Sequence, residues 1–235
     1  MKLIKLFLCC LVFASCAKKE IQIPLIAADG LQEIKNFSEV WMFFEIKNKD
    51  TSAVLNRTNT IISTNWVYNI DKKLPLKKVL PLLKKMKYKH KNGMHADKKT
   101  RDFYSYSNTS NKMLSFLEFT HVTFMEDSIT SKEWLKASGD SYAVYHNLNL
   151  RFYKNTVYIN DSNIGTEDLK ATLLEFIEFS SEGSQTLIHL NFDNTLSYQE
   201  YLSYKTMISS LQSAAIKISL NEFIFDRSKI PDCNC

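Results

Sequence analysis

One stretch, residues 186–220, constrains the fold more than any other part of this chain, because it contains three element signals in direct succession. In TLIHLNF (186–192) the side chains alternate between two faces, a pattern that predicts a strand. Ser197 and Glu200 have the spacing of a capping box, which predicts that a helix begins there. Apolar side chains then recur at three- and four-residue steps, at Tyr201, Tyr204, Met207, Ile208, Leu211 and Ala215. Residues 216–220 alternate again, so we expect a strand, a helix and a strand, with the helix packed on one face of a mixed sheet.

The predicted elements follow the same order, β-β-α-β-α-β, in both halves of the chain. In the first half we predict strands at 40–46, 61–70, 102–107 and 121–125, and helices at 76–86 and 112–117. In the second half we predict strands at 142–153, 157–160, 186–192 and 216–225, and helices at 166–177 and 198–214. The sequence therefore predicts an α+β fold of two small domains, each a mixed sheet covered by two helices. The shared order makes a tandem duplication a hypothesis.

The first predicted strand is unusually rich in large side chains. Residues 40–46 read VWMFFEI, which predicts a strand buried on both faces. Asp50 to Ser52 have turn chemistry, so we expect the chain to reverse there before the next strand.

The N-terminus has the features of a secretory signal. Lys2 and Lys5 precede an apolar segment, residues 6–13, that is too short to span a bilayer as a helix. The following residues, FASC (13–16), resemble the lipobox of bacterial lipoprotein signals, although that family usually has leucine where Phe13 stands. The resemblance implies that Cys16 becomes the mature N-terminus and carries acyl chains such as palmitate, which together form a stable membrane anchor. The alternative is an ordinary signal peptide that is cut nearby, with Cys16 incidental.

Polar residues cluster between the two predicted domains and define the boundary. We predict a signal peptide at 1–15, a tether at 16–38, an N-terminal domain at 39–127, a linker at 128–140, a C-terminal domain at 141–226 and a tail at 227–235. For residues 17–38, which include the apolar stretch 21–26, the alternative to a tether is an added edge strand. Within the linker, Trp134 and Leu135 are also compatible with a short docked helix.

The five cysteines do not predict a disulfide framework. Cys9 and Cys10 lie in the signal and Cys16 is the predicted lipid site, which leaves Cys233 and Cys235 in the tail. Those two are compatible with a strained local disulfide, with a two-thiolate metal clip completed by a partner, or with a frayed tail.

Charge is distributed unevenly along the chain. The mature first half carries a formal charge of about +7 and the second half about −4. The candidate basic patch lies on the helix predicted at 76–86 and just beyond it, at Lys77, Lys78, Lys84, Lys85, Lys87 and Lys89. Such a patch suits anionic lipid headgroups, an acidic envelope polymer or an acidic protein, and its alternative is the solvated face of an amphipathic helix. Nucleic acid is not expected as a partner of an exported chain.

No residue set predicts a reaction, a metal site or a cofactor. The five histidines lack metal-binding spacing, and His189 is expected to be a half-exposed strand residue. The five glycines form no phosphate-binding loop or nucleophile elbow. The competing hypothesis is a lipid-anchored enzyme, or a protein that binds carbohydrate or peptidoglycan, in which one cleft joins several of the aromatic residues Trp41, Trp66, Trp134, Tyr104 and Tyr106.

The second half contains a hairpin (148–160), a helix start (166–169), a strand ending in aspartate (188–193), a tyrosine-led helix (198–202) and a last strand (214–220). Over residues 148–225 this pattern resembles the periplasmic domain of the ExbD/TolR biopolymer-transport proteins. That family has an upstream membrane helix whose carboxylate takes part in energisation, whereas this chain has a lipoprotein signal there. The resemblance therefore implies only the recognition role, namely binding an extended segment, a peptidoglycan strand or a second copy.

Together these features predict a non-enzymatic, lipid-anchored protein of the bacterial envelope, at the outer membrane and facing the periplasm. We expect it to act as a binding or scaffold subunit of a membrane-associated transport or assembly machine. The expected contact is a free sheet edge, either at 148–153 or at 216–225, which would accept a partner strand or a second copy.

The lipobox resemblance makes a direct prediction for Cys16. The Cys16→Ser variant should incorporate no labelled palmitate and should leave the membrane fraction or accumulate as precursor, because serine lacks the thiol to which the lipid is attached. The measurement is acyl labelling with membrane fractionation, and Cys10→Ser is the matched control. Acyl labelling equal to that of the parent would contradict the assignment of Cys16.

Overall fold

The computed structural model describes residues 20–126 and 129–229. Within this part, four α-helices accompany two six-stranded sheets, and each sheet contains parallel and antiparallel pairs. The predicted α+β class with two mixed sheets is thereby confirmed. The predicted signal peptide, Cys16 and the two tail cysteines lie outside the described residues.

The first sheet is built around three adjacent parallel strands. Its strands are β1 (Leu25–Ile26), β2 (Phe37–Lys47), β3 (Asp50–Asn56), β4 (Asn65–Ile70), β5 (Asp102–Asn108) and β6 (Leu114–Glu118). They lie in the order β1-β5-β4-β2-β3, and β6 also pairs with β5. Helix α1 (Leu76–Asn92) connects the parallel strands β4 and β5.

The second sheet has the order β10-β9-β8-β11-β12-β7. Its strands are β7 (Thr123–Glu126), β8 (His146–Phe152), β9 (Val157–Ile159), β10 (Ser162–Ile164), β11 (Thr186–Asp193) and β12 (Ile216–Phe225). Three helices accompany it: α2 (Ser131–Ala137), α3 (Leu169–Ser180) and α4 (Tyr198–Ser209). The predicted capping box begins α4, with the Ser197 hydroxyl accepting from Glu200 N and the Glu200 carboxylate accepting from Ser197 N.

Both sheets repeat one arrangement. In each, an early strand (β1 or β7) pairs in parallel with the last crossover strand (β5 or β12). A hairpin (β2–β3 or β8–β9) lies on the other side of the central strand (β4 or β11), which a helix (α1 or α4) follows. The sequences at the two helix starts also match, because NIDKKL (69–74) and NFDNTL (191–196) share Asn, Asp and Leu at equal spacing. These shared features support the tandem-duplication hypothesis.

The two helix starts cross each other and are joined by backbone hydrogen bonds. In the first pair of bonds, Leu76 N donates to Leu196 O (2.9 Å) and Tyr198 N donates to Leu74 O (2.7 Å). In the second pair, Lys77 N donates to Asn194 O (2.9 Å) and Gln199 N donates to Lys72 O (3.0 Å). Each half is therefore the donor once and the acceptor once in each pair. The halves therefore meet around a local pseudo-twofold axis.

One hydrophobic core extends across both halves. Met42 of the first sheet and Leu150 of the second belong to the same buried cluster. Tyr201 of α4 contacts Tyr104 of β5 and Phe192 of β11, with ring centroids 6.1 and 4.8 Å apart, so α4 lies between the sheets. Neither half has a separate complete core in the described structure.

Three local predictions in the first half were wrong. Residues 112–117 were predicted as a helix, but Leu114–Glu118 forms β6 because β5 offers an edge with which it pairs. The turn predicted at Asp50 to Ser52 lies instead at Asn48 and Lys49, whose φ angles of 51° and 65° suit a two-residue hairpin. Asp50 therefore begins strand β3. The strand predicted at 61–70 begins only at Asn65.

The boundary predicted at 128–140 does not separate the strands of the two sheets. Strand β7 precedes that boundary, yet it pairs with β12 of the second sheet. Part of the predicted linker is helix α2, which begins with a capping box between Thr130 and Glu133. Ser131 N of this helix donates to Asn191 Oδ1 of β11, and Asn191 Nδ2 donates to Ser131 Oγ. The ring centroids of Trp134 and Phe223 are 5.7 Å apart. The short docked helix proposed for Trp134 and Leu135 is therefore present.

Candidate functional site

The β2–β3 hairpin has an outer face that the rest of the described chain leaves open. Along β2, Val40 and Met42 point into the core and are fully buried, whereas Trp41 and Phe43 on the other face are partly exposed. The prediction of a strand buried on both faces was therefore wrong. On this side of the sheet the segment 27–36 lies over the neighbouring strands. Its Ile34 packs with Val67 of β4, Phe103 of β5 and Phe116 of β6.

A cleft of about 340 Å³ lies at one end of this open face. We call it the Trp41 cleft; it is lined by Phe37, Ser38, Glu39, Trp41, Asn56, Thr58, Asn59 and Ile61. Its wall is held in place from below, since Ile61 N donates to Ser38 Oγ (3.0 Å) and Trp66 Nε1 donates to Ile61 O (2.8 Å). The cleft is therefore bounded by a hydrogen-bonded loop and not by an unsupported one.

The outer edge of β3 pairs with no strand in the described residues. In a two-residue hairpin the residues flanking the turn, here Lys47 and Asp50, form a hydrogen-bonded pair, and bonded and non-bonded pairs then alternate. The N–H and C=O groups of Thr51, Ala53 and Leu55 consequently point away from β2. The edge thus presents three residues whose backbone groups are available to an added strand.

The ends of this edge are basic. Lys49 and Arg57 are exposed on either side of β3. The acidic residue between them, Asp50, is neutralised by Lys78 of α1, whose ammonium lies 2.8 Å from the carboxylate and lowers its pKa. The exposed charges at the two ends of β3 that have no ion pair in the described chain, Lys49 and Arg57, are therefore both positive.

The two sheet edges predicted from the sequence are not free in this way. Strand β8, which contains most of 148–153, lies between β9 and β11. In β12, residues 221–224 pair with β7, and only 216–220 lack a strand on that side within the described chain. The apolar continuation of β12 does need cover, but β7 of the same chain supplies it.

The predicted basic patch is divided by the geometry of α1. Lys87 points inward, and its ammonium donates to the carbonyl oxygens of Phe119 (2.8 Å), Thr120 (3.0 Å) and Val122 (2.8 Å). Burial lowers the pKa of Lys87 to about 8. Lys87 therefore does not share the exposed surface of the other lysines and instead fastens α1 to the segment that leads into β7.

The remaining lysines of the run differ in their pairing. Lys78 pairs with Asp50, and Lys84 lies 3.4 Å from Glu126. Among the residues that the structure describes, no ion pair involves the other three, Lys77, Lys85 and Lys89. These three retain the charge that the predicted patch requires.

A buried ion pair of the second half lies next to Tyr104 of the first half. Lys205 of α4 contacts the carboxylate of Glu222 on β12, and both side chains are almost completely buried. Tyr201 donates to Glu222 at 2.7 Å and is 3.2 Å from the hydroxyl of Tyr104. Burial and the nearby Lys87 lower the pKa of Lys205, while the adjacent carboxylate acts in the opposite direction. Because the cluster has no exposed member, we interpret it as a contact that joins the halves.

The histidines have structural surroundings. His90 stacks on Trp66 at 4.2 Å, and its two ring nitrogens contact Asp102 (2.8 Å) and Thr64 O (2.9 Å). His189 was predicted to be half-exposed, which is wrong, because its side chain is fully buried and packs against Trp134 of α2 and Tyr142. Within residues 20–126 and 129–229, no group of three or more His, Cys, Asp or Glu side chains could hold a metal ion.

The aromatic residues proposed to line one site do not converge. Trp66, Tyr104 and Tyr106 are buried in the core, and Trp134 lies against His189 beneath α2. Of that set, only Trp41 lines the Trp41 cleft, where Phe37 is the second aromatic side chain.

Comparisons with known proteins matched no family model, no curated protein and no solved structure. Of the helices in the described segments, none is both long and apolar enough to cross a membrane.

The sequence reasoning missed both the open face and the β3 edge. Two signals could have revealed them. Asn48 and Lys49 have a residue type and position suited to a two-residue turn, and residues 37–45 place Phe37, Glu39, Trp41, Phe43 and Glu45 on one face. The two acidic residues on that face, Glu39 and Glu45, indicate contact with water.

His189 predicts an acid-sensitive step in stability. Burial lowers its pKa from 6.5 to about 4, so the folded state rejects a proton that the unfolded chain accepts. The contribution of neutral His189 to the free energy of unfolding is therefore complete above pH 6.5. It is lost as the pH falls toward 4, by up to about 3 kcal/mol.

The His189→Gln variant keeps a donor for Asn147, which His189 Nε2 contacts at 2.9 Å, but does not titrate. Urea unfolding at pH 4 and 7 should show a smaller difference for this variant than for the parent, whereas exposed His121→Gln serves as control. An unchanged pH dependence in His189→Gln would contradict the assignment.

Proposed function

We propose that this chain is a non-enzymatic, lipid-anchored protein of the bacterial envelope, at the outer membrane facing the periplasm. In this proposal Cys16 carries the anchor, and the folded body is a binding or scaffold subunit of a membrane-associated transport or assembly machine. The observation that carries the binding role is the unpaired β3 edge beside an open aromatic face. The resemblance of residues 148–225 to a periplasmic recognition domain supports the same role.

The contact is strand addition to β3. The outward backbone groups of Thr51, Ala53 and Leu55 would give the added strand its main-chain hydrogen bonds. Phe43 and Val54, which lie on the open face beside that edge, are partly exposed and would bury apolar area against side chains of the same partner.

The proposed occupant is an acidic, extended segment of a partner protein. Antiparallel pairing of two β3 strands centred on Ala53 would place Lys49 directly opposite Arg57, twice, and like charges in that position destabilise a sheet. An acidic segment would instead place carboxylates opposite these two residues. Charge complementarity therefore favours a different, acidic protein over a second copy.

Site-specific cross-linking in intact cells tests this surface. A photo-reactive side chain at Val54, on the open face, should give a discrete adduct whose cross-linked peptide is acidic and extended. The same group at Phe179, an exposed position on α3, should not give that adduct. The Ala53→Pro variant should lose the adduct while remaining folded, because it removes an N–H that points away from β2.

The matched control is Val54→Pro, which removes an N–H that points toward β2 and should lower the melting temperature of the protein itself. Adducts that join this chain to a second copy would contradict the proposed occupant. An adduct at Val54 that Ala53→Pro retains in full would contradict strand addition at β3.

A further inference from the structure

The side chains that line the Trp41 cleft play no part in the proposed strand addition to β3. Its lining combines two aromatic side chains, Phe37 and Trp41, with the amides of Asn56 and Asn59 and one carboxylate, Glu39. The outward backbone groups of β3 belong to other residues. The cleft and the β3 edge are therefore adjacent but chemically separate surfaces.

Several polar groups in the cleft remain available to a ligand. Asn56 Oδ1 accepts from the backbone N–H and hydroxyl of Thr58 (3.1 and 2.6 Å), which fixes the amide and leaves its NH₂ group without a partner in the described chain. Glu39 accepts from Asn69 through Oε1 (3.3 Å), and no bond to its Oε2 occurs in that same part of the chain. The cleft thus offers an oriented donor and an oriented acceptor beside an aromatic ring.

We infer that the Trp41 cleft binds a neutral saccharide. The apolar face of a pyranose ring packs on a flat aromatic side chain, and adjacent hydroxyls need donors and acceptors at the ring edge. Trp41 supplies the flat surface, while Asn56, Asn59 and Glu39 supply the polar groups. The volume of about 340 Å³ lies at the small end of the range for ligand pockets and suits one or two sugar rings.

The charge in the cleft selects against other ligands. Glu39 is the one charged residue among those that line the cleft, so an acidic sugar or a phosphate bound there would be repelled by a carboxylate. An apolar ligand would leave the Asn56 amide and the free oxygen of Glu39 desolvated without partners. A neutral, hydroxyl-rich ring satisfies both constraints.

Calorimetric titration of the folded protein tests this inference. The probes are tri-N-acetylchitotriose, cellotriose and tri-galacturonic acid. At least one neutral trisaccharide should bind with a dissociation constant at or below roughly millimolar, and tri-galacturonic acid should bind more weakly. Trp41→Ala should weaken the neutral interaction by roughly tenfold, whereas Trp41→Phe should retain part of it because it keeps a flat ring.

Two controls separate this site from the rest of the protein. Trp134→Phe alters an aromatic residue of α2, remote from the cleft lining, and should leave saccharide affinity unchanged. Asn56→Asp should weaken the affinity because it removes the free donor. Ala53→Pro should also leave it unchanged, so failure of the strand proposal and failure of this inference are distinguishable. The inference is overturned if no neutral trisaccharide binds, if folded Trp41→Ala binds like the parent, or if tri-galacturonic acid binds as tightly as the neutral probes.

Discussion

The backbone crossing of the two helix starts is the interaction on which the rest of the structure depends. Residues 72–77 and 194–199 exchange four hydrogen bonds in two symmetric pairs, which places α1 and α4 side by side. An unpaired backbone group buried at that point would cost about 1–3 kcal/mol, so the crossing is possible only because each half completes the other. The shared core, the Lys205–Glu222 contact and the attachment of Lys87 to the segment before β7 all follow from that arrangement.

The candidate surfaces lie where the two repeats differ. In the sequence of the second repeat, β10 and α3 follow the hairpin and precede the central strand. Helix α2 covers the outer face of the second sheet. In the first repeat a loop, residues 57–64, occupies the corresponding place and forms a wall of the Trp41 cleft. With no counterpart of α2 in the described residues, the outer face of β2 and β3 stays in contact with water. In the second repeat the hairpin strand β9 pairs with β10, whereas in the first repeat the hairpin strand β3 is itself the edge of the sheet.

Sequence patterns predicted the second half better than the first, for physical reasons. The Ser197–Glu200 capping box and the alternation of 186–192 are local signals, and the strand and the helix start formed where they were predicted. The helix predicted at 198–214 ends earlier, at Ser209. Residues 112–117 contained a short apolar run that suits a helix or a strand equally, and only the β5 edge decided between them. The pairing of β7 with β12 could not be read from either segment alone, because it depends on the chain crossing between halves. The Asn-apolar-Asp repeat at 69–74 and 191–196 was visible in the sequence and would have indicated how the halves correspond.

The central claim is that β3 is a free edge in the folded protein and that its outward backbone groups are available to a partner. Amide hydrogen exchange, read residue by residue by NMR, tests it most directly. The account predicts an alternating pattern along β3, in which the N–H groups of Ser52 and Val54 are protected by β2 while those of Thr51, Ala53 and Leu55 exchange rapidly. Uniform protection from Thr51 to Leu55 in the isolated protein would mean that this edge is already covered, and would contradict the account.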